Sequence, residues 1–99
     1  MTNSNLQASD IWLLLAVQYS SGAGTKDKIV EAGDFINHAI FTDEEFNDGI
    51  KRLLETGYIK EGNSKYSVTS KFKSYWNNGI SNKQNVYNQL KALENILLK

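Results

Sequence analysis

Seven consecutive apolar residues, Ile11-Trp12-Leu13-Leu14-Leu15-Ala16-Val17, set the first condition on any fold of this chain. Wound as an α-helix, the run is apolar almost all round, so it must be covered on several sides. A membrane span needs about 20 such residues, so the segment reads as a buried helix instead. The chain has 99 residues, the size of one domain with a modest core. A helix of this kind therefore belongs at its centre. Ser9 and Asp10 stand where an N-cap and a first-turn acid are expected, and the helix should reach Tyr19 or Ser21. Residues 1–8 are polar and read as a flexible N-terminus. They carry no Lys or Arg, unlike the start of a signal peptide.

The other elements follow from local signals. Ser20-Ser21-Gly22-Ala23-Gly24 reads as a loop. Thr25 caps a second helix over about Lys26 to Ala39, with Ile29, Gly33, Ile36 and Ile40 as its buried stripe. Gly33 in that stripe points to a close approach by the first helix. Thr42-Asp43-Glu44-Glu45 has the form of a capping box, with Phe41 and Phe46 as the matching hydrophobic staple. The third helix that it opens buries Phe46, Ile50, Leu53 and Leu54 and stops at Gly57.

Tyr58-Ile59-Lys60-Glu61 and Lys65-Tyr66-Ser67-Val68 then read as a hairpin around Gly62-Asn63-Ser64. Thr69 or Ser70 caps a short helix holding Phe72, Tyr75 and Trp76, and Asn77-Asn78-Gly79 turns the chain. Ser81 is expected to cap a last helix, Asn82 to Leu98. Its seam is Val86, Leu90, Leu93 and Leu97, widened by Tyr87 and Ile96.

Composition excludes several functions. There is no Cys, hence no disulfide framework, thiol nucleophile or Cys-type zinc site. His38 is the only histidine; with Asp34 it supplies too few ligands for a transition-metal site. Ser20 to Lys26 lacks the spacing of a phosphate-binding loop and follows no strand. No carboxylate pair stands out for acid–base work. The expectation is a protein that is not an enzyme and uses no cofactor or metal, in the cytoplasm and off the membrane.

The formal net charge is zero. That figure is a sum of unlike parts. Residues 1–62 carry five basic and ten acidic side chains, and residues 63–99 carry six basic and one acidic.

The order helix, helix, helix, hairpin, helix, with Thr42 to Ile59 followed by Lys65-Tyr66-Ser67-Val68-Thr69, resembles a winged helix-turn-helix domain. Regulators of this fold likewise run from an apolar-x-x-Arg-Leu helix through Gly-Tyr/Leu-Ile into a wing. The resemblance implies a mainly α fold with a small antiparallel β-hairpin. Residues 9–78 form the winged-helix domain, and 79–99 form an extra C-terminal helix like the dimerising helices of several such regulators. It also implies a DNA-binding transcriptional regulator, with the third helix in the major groove and the wing on the backbone.

On that reading Asn47 and Arg52 are the base readers, with Lys51 beside them. Lys60, Lys65, Lys71 and Lys73 form a basic wing that contacts phosphate. The residues themselves also support a second reading. Asp43, Glu44, Asp48 and Glu55 make the third helix acidic, which repels phosphate and suits a basic protein partner. Structural roles account for the same acids, through the helix dipole and the i,i+4 pairs Asp48–Arg52 and Lys51–Glu55. Val86, Leu90, Leu93 and Leu97 admit two arrangements as well. They either cover the first helix of their own chain or pair two copies in a homodimer.

Overall fold

The computed structural model describes residues 6–20 and 24–98. The expected flexible stretch through Asn5 and the loop residues Ser21 to Ala23 lie outside them. The elements are α1 (Ala8–Tyr19), α2 (Lys26–Asn37), α3 (Asp43–Thr56), β1 (Ile59–Gly62), β2 (Lys65–Val68), α4 (Ser70–Asn77), a 3-10 turn (Ile80–Asn82) and α5 (Val86–Leu97). The chain is mainly helical with one small antiparallel sheet. Among the described residues, no helix is long and apolar enough to cross a membrane.

The apolar run sits where its composition requires. Every residue from Ile11 to Val17 is buried, and α1 packs against α2, α3, β2 and α5. Trp12 ties α1 to α2: its Nε1–H donates to the Gly33 carbonyl at 2.9 Å, and its ring stacks on Phe41 with centroids 3.8 Å apart. Gly33 is thus a close approach to both Trp12 and the Phe41 ring. The helix starts earlier than Ser9, with Gln7 as its N-cap. Asp10 accepts the Gln7 backbone N–H at 2.9 Å.

α2 ends at Asn37, two residues before the expected end, because His38 adopts the left-handed conformation at φ 54°. The helical stripe stops there. Ile29, Gly33 and Ile36 are buried, but Ile40 lies beyond the turn and is 69% exposed.

The start of α3 forms as its local sequence dictates. Glu45 N–H donates to Thr42 Oγ1 at 3.0 Å, and Thr42 N–H donates to Glu45 Oε1 at 2.9 Å. The staple rings of Phe41 and Phe46 meet edge to face. Gly57, at φ 82°, ends the helix in the left-handed region that favours glycine.

The hairpin pairs Ile59 with Val68, Lys60 with Ser67, Glu61 with Tyr66 and Gly62 with Lys65. Gly62 therefore belongs to β1, and the loop is the two residues Asn63 and Ser64. Both have positive φ, which gives the hand of turn that matches strand twist. On the other edge of β2, Gly24 and Tyr66 exchange backbone hydrogen bonds of 2.9 and 2.8 Å.

α5 begins later than Ser81. Ile80–Asn82 takes a 3-10 turn, and Asn85 is the cap, its side chain accepting from Asn88 N–H at 2.8 Å. Leu90, Leu93 and Leu97 are buried and Val86 is half-buried, with α5 packed on α1. Leu90, Leu93 and Leu97 are thus covered by their own chain, the first of the two expected arrangements, while Val86 keeps partial exposure. Tyr87 and Ile96, expected to widen the seam, are exposed instead.

Candidate functional site

α3 and the hairpin carry most of the expected contact residues, and the structure separates them. Arg52 does not face outward as a free guanidinium. Its Nε donates to Asp10 Oδ2 at 2.6 Å and its Nη2 donates to Asp10 Oδ1 at 3.0 Å. Asp10 is fully buried, whereas the Arg52 side chain retains 23% exposure. The carboxylate thus receives two guanidinium bonds and the Gln7 N–H. The hydrogen bond to Asp10 raises the Arg52 pKa. Burial opposes that effect, and the charges of Asp10, Asp48 and Glu55 add to it. The expected Asp48–Arg52 side-chain pair gives way to this bond across the fold.

Gly49 makes the arrangement possible. A Cβ at that position would stand 2.7 Å from Leu13 Cδ2 and 2.9 Å from Asp10 Oδ1. The missing side chain lets α1 press its acid against α3.

Lys71 makes a contact at the surface of the fold. Its Nζ donates to the Thr56 carbonyl at 2.6 Å and lies 4.5 Å from the centre of the Tyr58 ring. It thereby serves the C-terminus of α3, where a cation is favoured. Burial raises the Tyr58 pKa, and the neighbouring Tyr75 raises it further. Lys71 nonetheless stays exposed on the surface.

Lys60 and Lys65 are exposed, and the strand register decides where they point. Ile59 and Val68 are buried, so the face carrying them turns inward. Side chains alternate along a strand, which puts Glu61 and Tyr66 on that same face and Lys60, Lys65 and Ser67 on the other. The two lysines thus stand together on the outer face of the hairpin, and the side turned to α3 presents Glu61. Lys73 is exposed on α4.

On α3 itself, Asn47 and Lys51 are exposed, as are Asp43, Glu44, Asp48 and Glu55. Asp43 lies 3.6 Å from Lys26 Nζ, an exposed pair of little energetic consequence. The site predicted from the sequence therefore divides into a mainly acidic helix surface that also exposes Asn47 and Lys51, exposed lysines on the hairpin and α4, and Arg52 bound into the structure.

Sequence reasoning missed Asp10 as the partner of Arg52. Its one signal was an acid immediately before an apolar helix, which a first-turn role already explained. Among the described residues, no group of three or more His, Cys, Asp or Glu is placed to hold a metal ion. Comparison with models of protein families, with curated proteins and with solved structures finds no match for this chain.

Proposed function

We propose that the chain is a winged-helix domain with an added C-terminal helix, acting as a non-enzymatic cytoplasmic protein-interaction module whose acidic α3 surface docks a basic protein partner. Three helices followed by a hairpin support the winged-helix frame. So does the Gly24–Tyr66 bridge, which gives the hairpin a third strand position.

One observation carries the functional reading: the arginine placed to read bases is held by a buried aspartate. What α3 leaves on its surface is then mainly Asp43, Glu44, Asp48 and Glu55. Phosphates repel such a face and a basic protein is attracted to it.

A second reading keeps duplex DNA as the partner. It is favoured by Lys60 and Lys65, both exposed on the outer face of the hairpin. Contact through these lysines would engage phosphate and give little base discrimination.

Binding of labelled oligolysine and labelled duplex DNA at about 50 mM salt, where nonspecific attraction is strong, separates the two. The protein-docking reading expects oligolysine to bind, and to be lost in the variant Asp43→Lys, Glu44→Lys, Asp48→Lys. DNA binding that is abolished by Lys60→Glu with Lys65→Glu, together with no binding of oligolysine, would reverse the order of the two readings.

A further inference from the structure

The row Phe46, Ile50, Leu54 runs along α3 at intervals of four and faces the hairpin, from which Tyr66 and Glu61 close the other side of a groove. Phe46 and Ile50 are buried, Leu54 and Tyr66 are half-buried, and the rings of Phe46 and Tyr66 lie 6.3 Å apart. The floor is therefore apolar. Its rims are polar: Glu55 ends the neighbouring α3 row, which also holds Asn47 and Lys51, and Glu61 stands opposite on β1. Burial raises the Tyr66 pKa, and the nearby charge of Glu61 and a hydrogen bond to it add to the rise.

We propose that this groove seats a short extended peptide segment of a partner protein, with apolar side chains on the floor and Lys or Arg on either side. The inference rests on the protein-docking reading and specifies what that partner brings. Charge decides the chemistry. Glu55 and Glu61 flank the floor, and Asp48 stands beside the groove on the α3 surface, against Lys51 on the rim and Lys26, which lies 5.2 Å from the centre of the Phe46 ring and is itself paired with Asp43. Basic side chains complement that balance and acidic ones do not.

Dimensions decide the length. The eight helical steps from Phe46 to Leu54 span about 12 Å. That is the reach of about four extended residues. In such a segment alternate side chains point one way, so two apolar residues, two positions apart, meet the floor together. A nucleic acid backbone in the same place would set phosphates against two glutamates and leave the apolar floor without a partner.

The test uses the full chain and a labelled octapeptide with two leucines two positions apart, flanked by lysines. A matched octapeptide has glutamates in place of the lysines. Amide chemical shifts and anisotropy are read for both. The expected result is that the lysine peptide moves the amides of Ile50, Leu54, Glu61 and Tyr66, while the glutamate peptide moves none of them. Glu55→Lys with Glu61→Lys should weaken the lysine peptide about tenfold, since two exposed attractions become repulsions. Both positions are exposed, so the fold should survive, and unchanged circular dichroism would confirm that it does.

Lysine-peptide shifts confined to Asp43, Glu44 and Asp48 would overturn the groove and leave the acidic-surface reading standing. No shifts with either peptide would overturn the groove. If duplex DNA moved the groove amides while neither peptide did, the protein-docking reading would fall with it.

Discussion

Arg52 closes on Asp10 from 42 positions along the chain, in a two-point ion pair with N–O distances of 2.6 and 3.0 Å. The pair joins the first turn of the central helix to α3. It makes a residue expected from the sequence to read bases into a brace between helices. Removing Arg52 would leave a fully buried carboxylate with only the Gln7 N–H as a donor among those described. Arg52→Met should cost about 3 kcal/mol, the low end for a broken buried pair, because one flank of Arg52 still meets water. Urea unfolding checks it. Asp10→Asn combined with Arg52→Met should cost less than the sum of the two single changes, as expected of coupled groups. Full additivity would contradict the brace.

Gly49 gives a prediction whose sign is opposite to helix propensity. Ala is favoured over Gly inside a helix by about 1 kcal/mol. Here the added methyl would stand 2.7 Å from Leu13 Cδ2 and 2.9 Å from Asp10 Oδ1. Gly49→Ala should therefore lower stability by about 1–3 kcal/mol, the usual range for overpacking. A rise in thermal midpoint would mean that α1 and α3 are not so closely pressed.

The hydrogen-bonded start of α3 offers a simpler test. Thr42→Ala removes the acceptor of the Glu45 N–H and should cost about 1 kcal/mol. Stability equal to the parent chain would indicate that water replaces the cap without loss.

Alkaline pH should weaken the fold through its tyrosines. The pKa values of Tyr58 and Tyr66 are raised in the folded chain, mainly by burial. Their contribution is fully present below the unfolded tyrosine value of about 10 and is lost as pH rises through the raised folded values. Stability measured in urea should thus fall more steeply above about pH 10 than in a variant with Tyr58→Phe and Tyr66→Phe. Identical slopes for the two proteins would remove the tyrosines from the account.

Legibility in the sequence followed the range of the interaction. The capping box of Thr42 and Glu45, the Phe41–Phe46 staple and the Gly57 stop depend on neighbours a few residues apart, and all form as read. The central place of Ile11 to Val17 was also legible, since a helix apolar all round has few alternatives. The start of α5 was not legible, because Ser81 and Asn85 are both good cap residues and only the structure shows Asn85 in that role. Ile40 kept the periodicity of α2 only on paper, because His38 turns left-handed first.

The candidate site was legible as composition and not as geometry. Acids on α3 and lysines on the hairpin could be counted. That Arg52 turns inward to Asp10, and Lys71 to the Thr56 carbonyl, depends on residues 42 and 15 positions away. No local pattern announces such contacts.

The most direct test of the claim that α3 is not a DNA-reading helix is the binding of a duplex DNA library by the full chain at about 50 mM salt. The parent chain is compared with Asn47→Ala, Lys51→Ala, and the pair Lys60→Glu with Lys65→Glu. The account predicts weak binding at most, without sequence preference, unaffected by Asn47→Ala or Lys51→Ala and abolished by the hairpin pair. Tight, sequence-selective binding lost with Asn47→Ala or Lys51→Ala would contradict it.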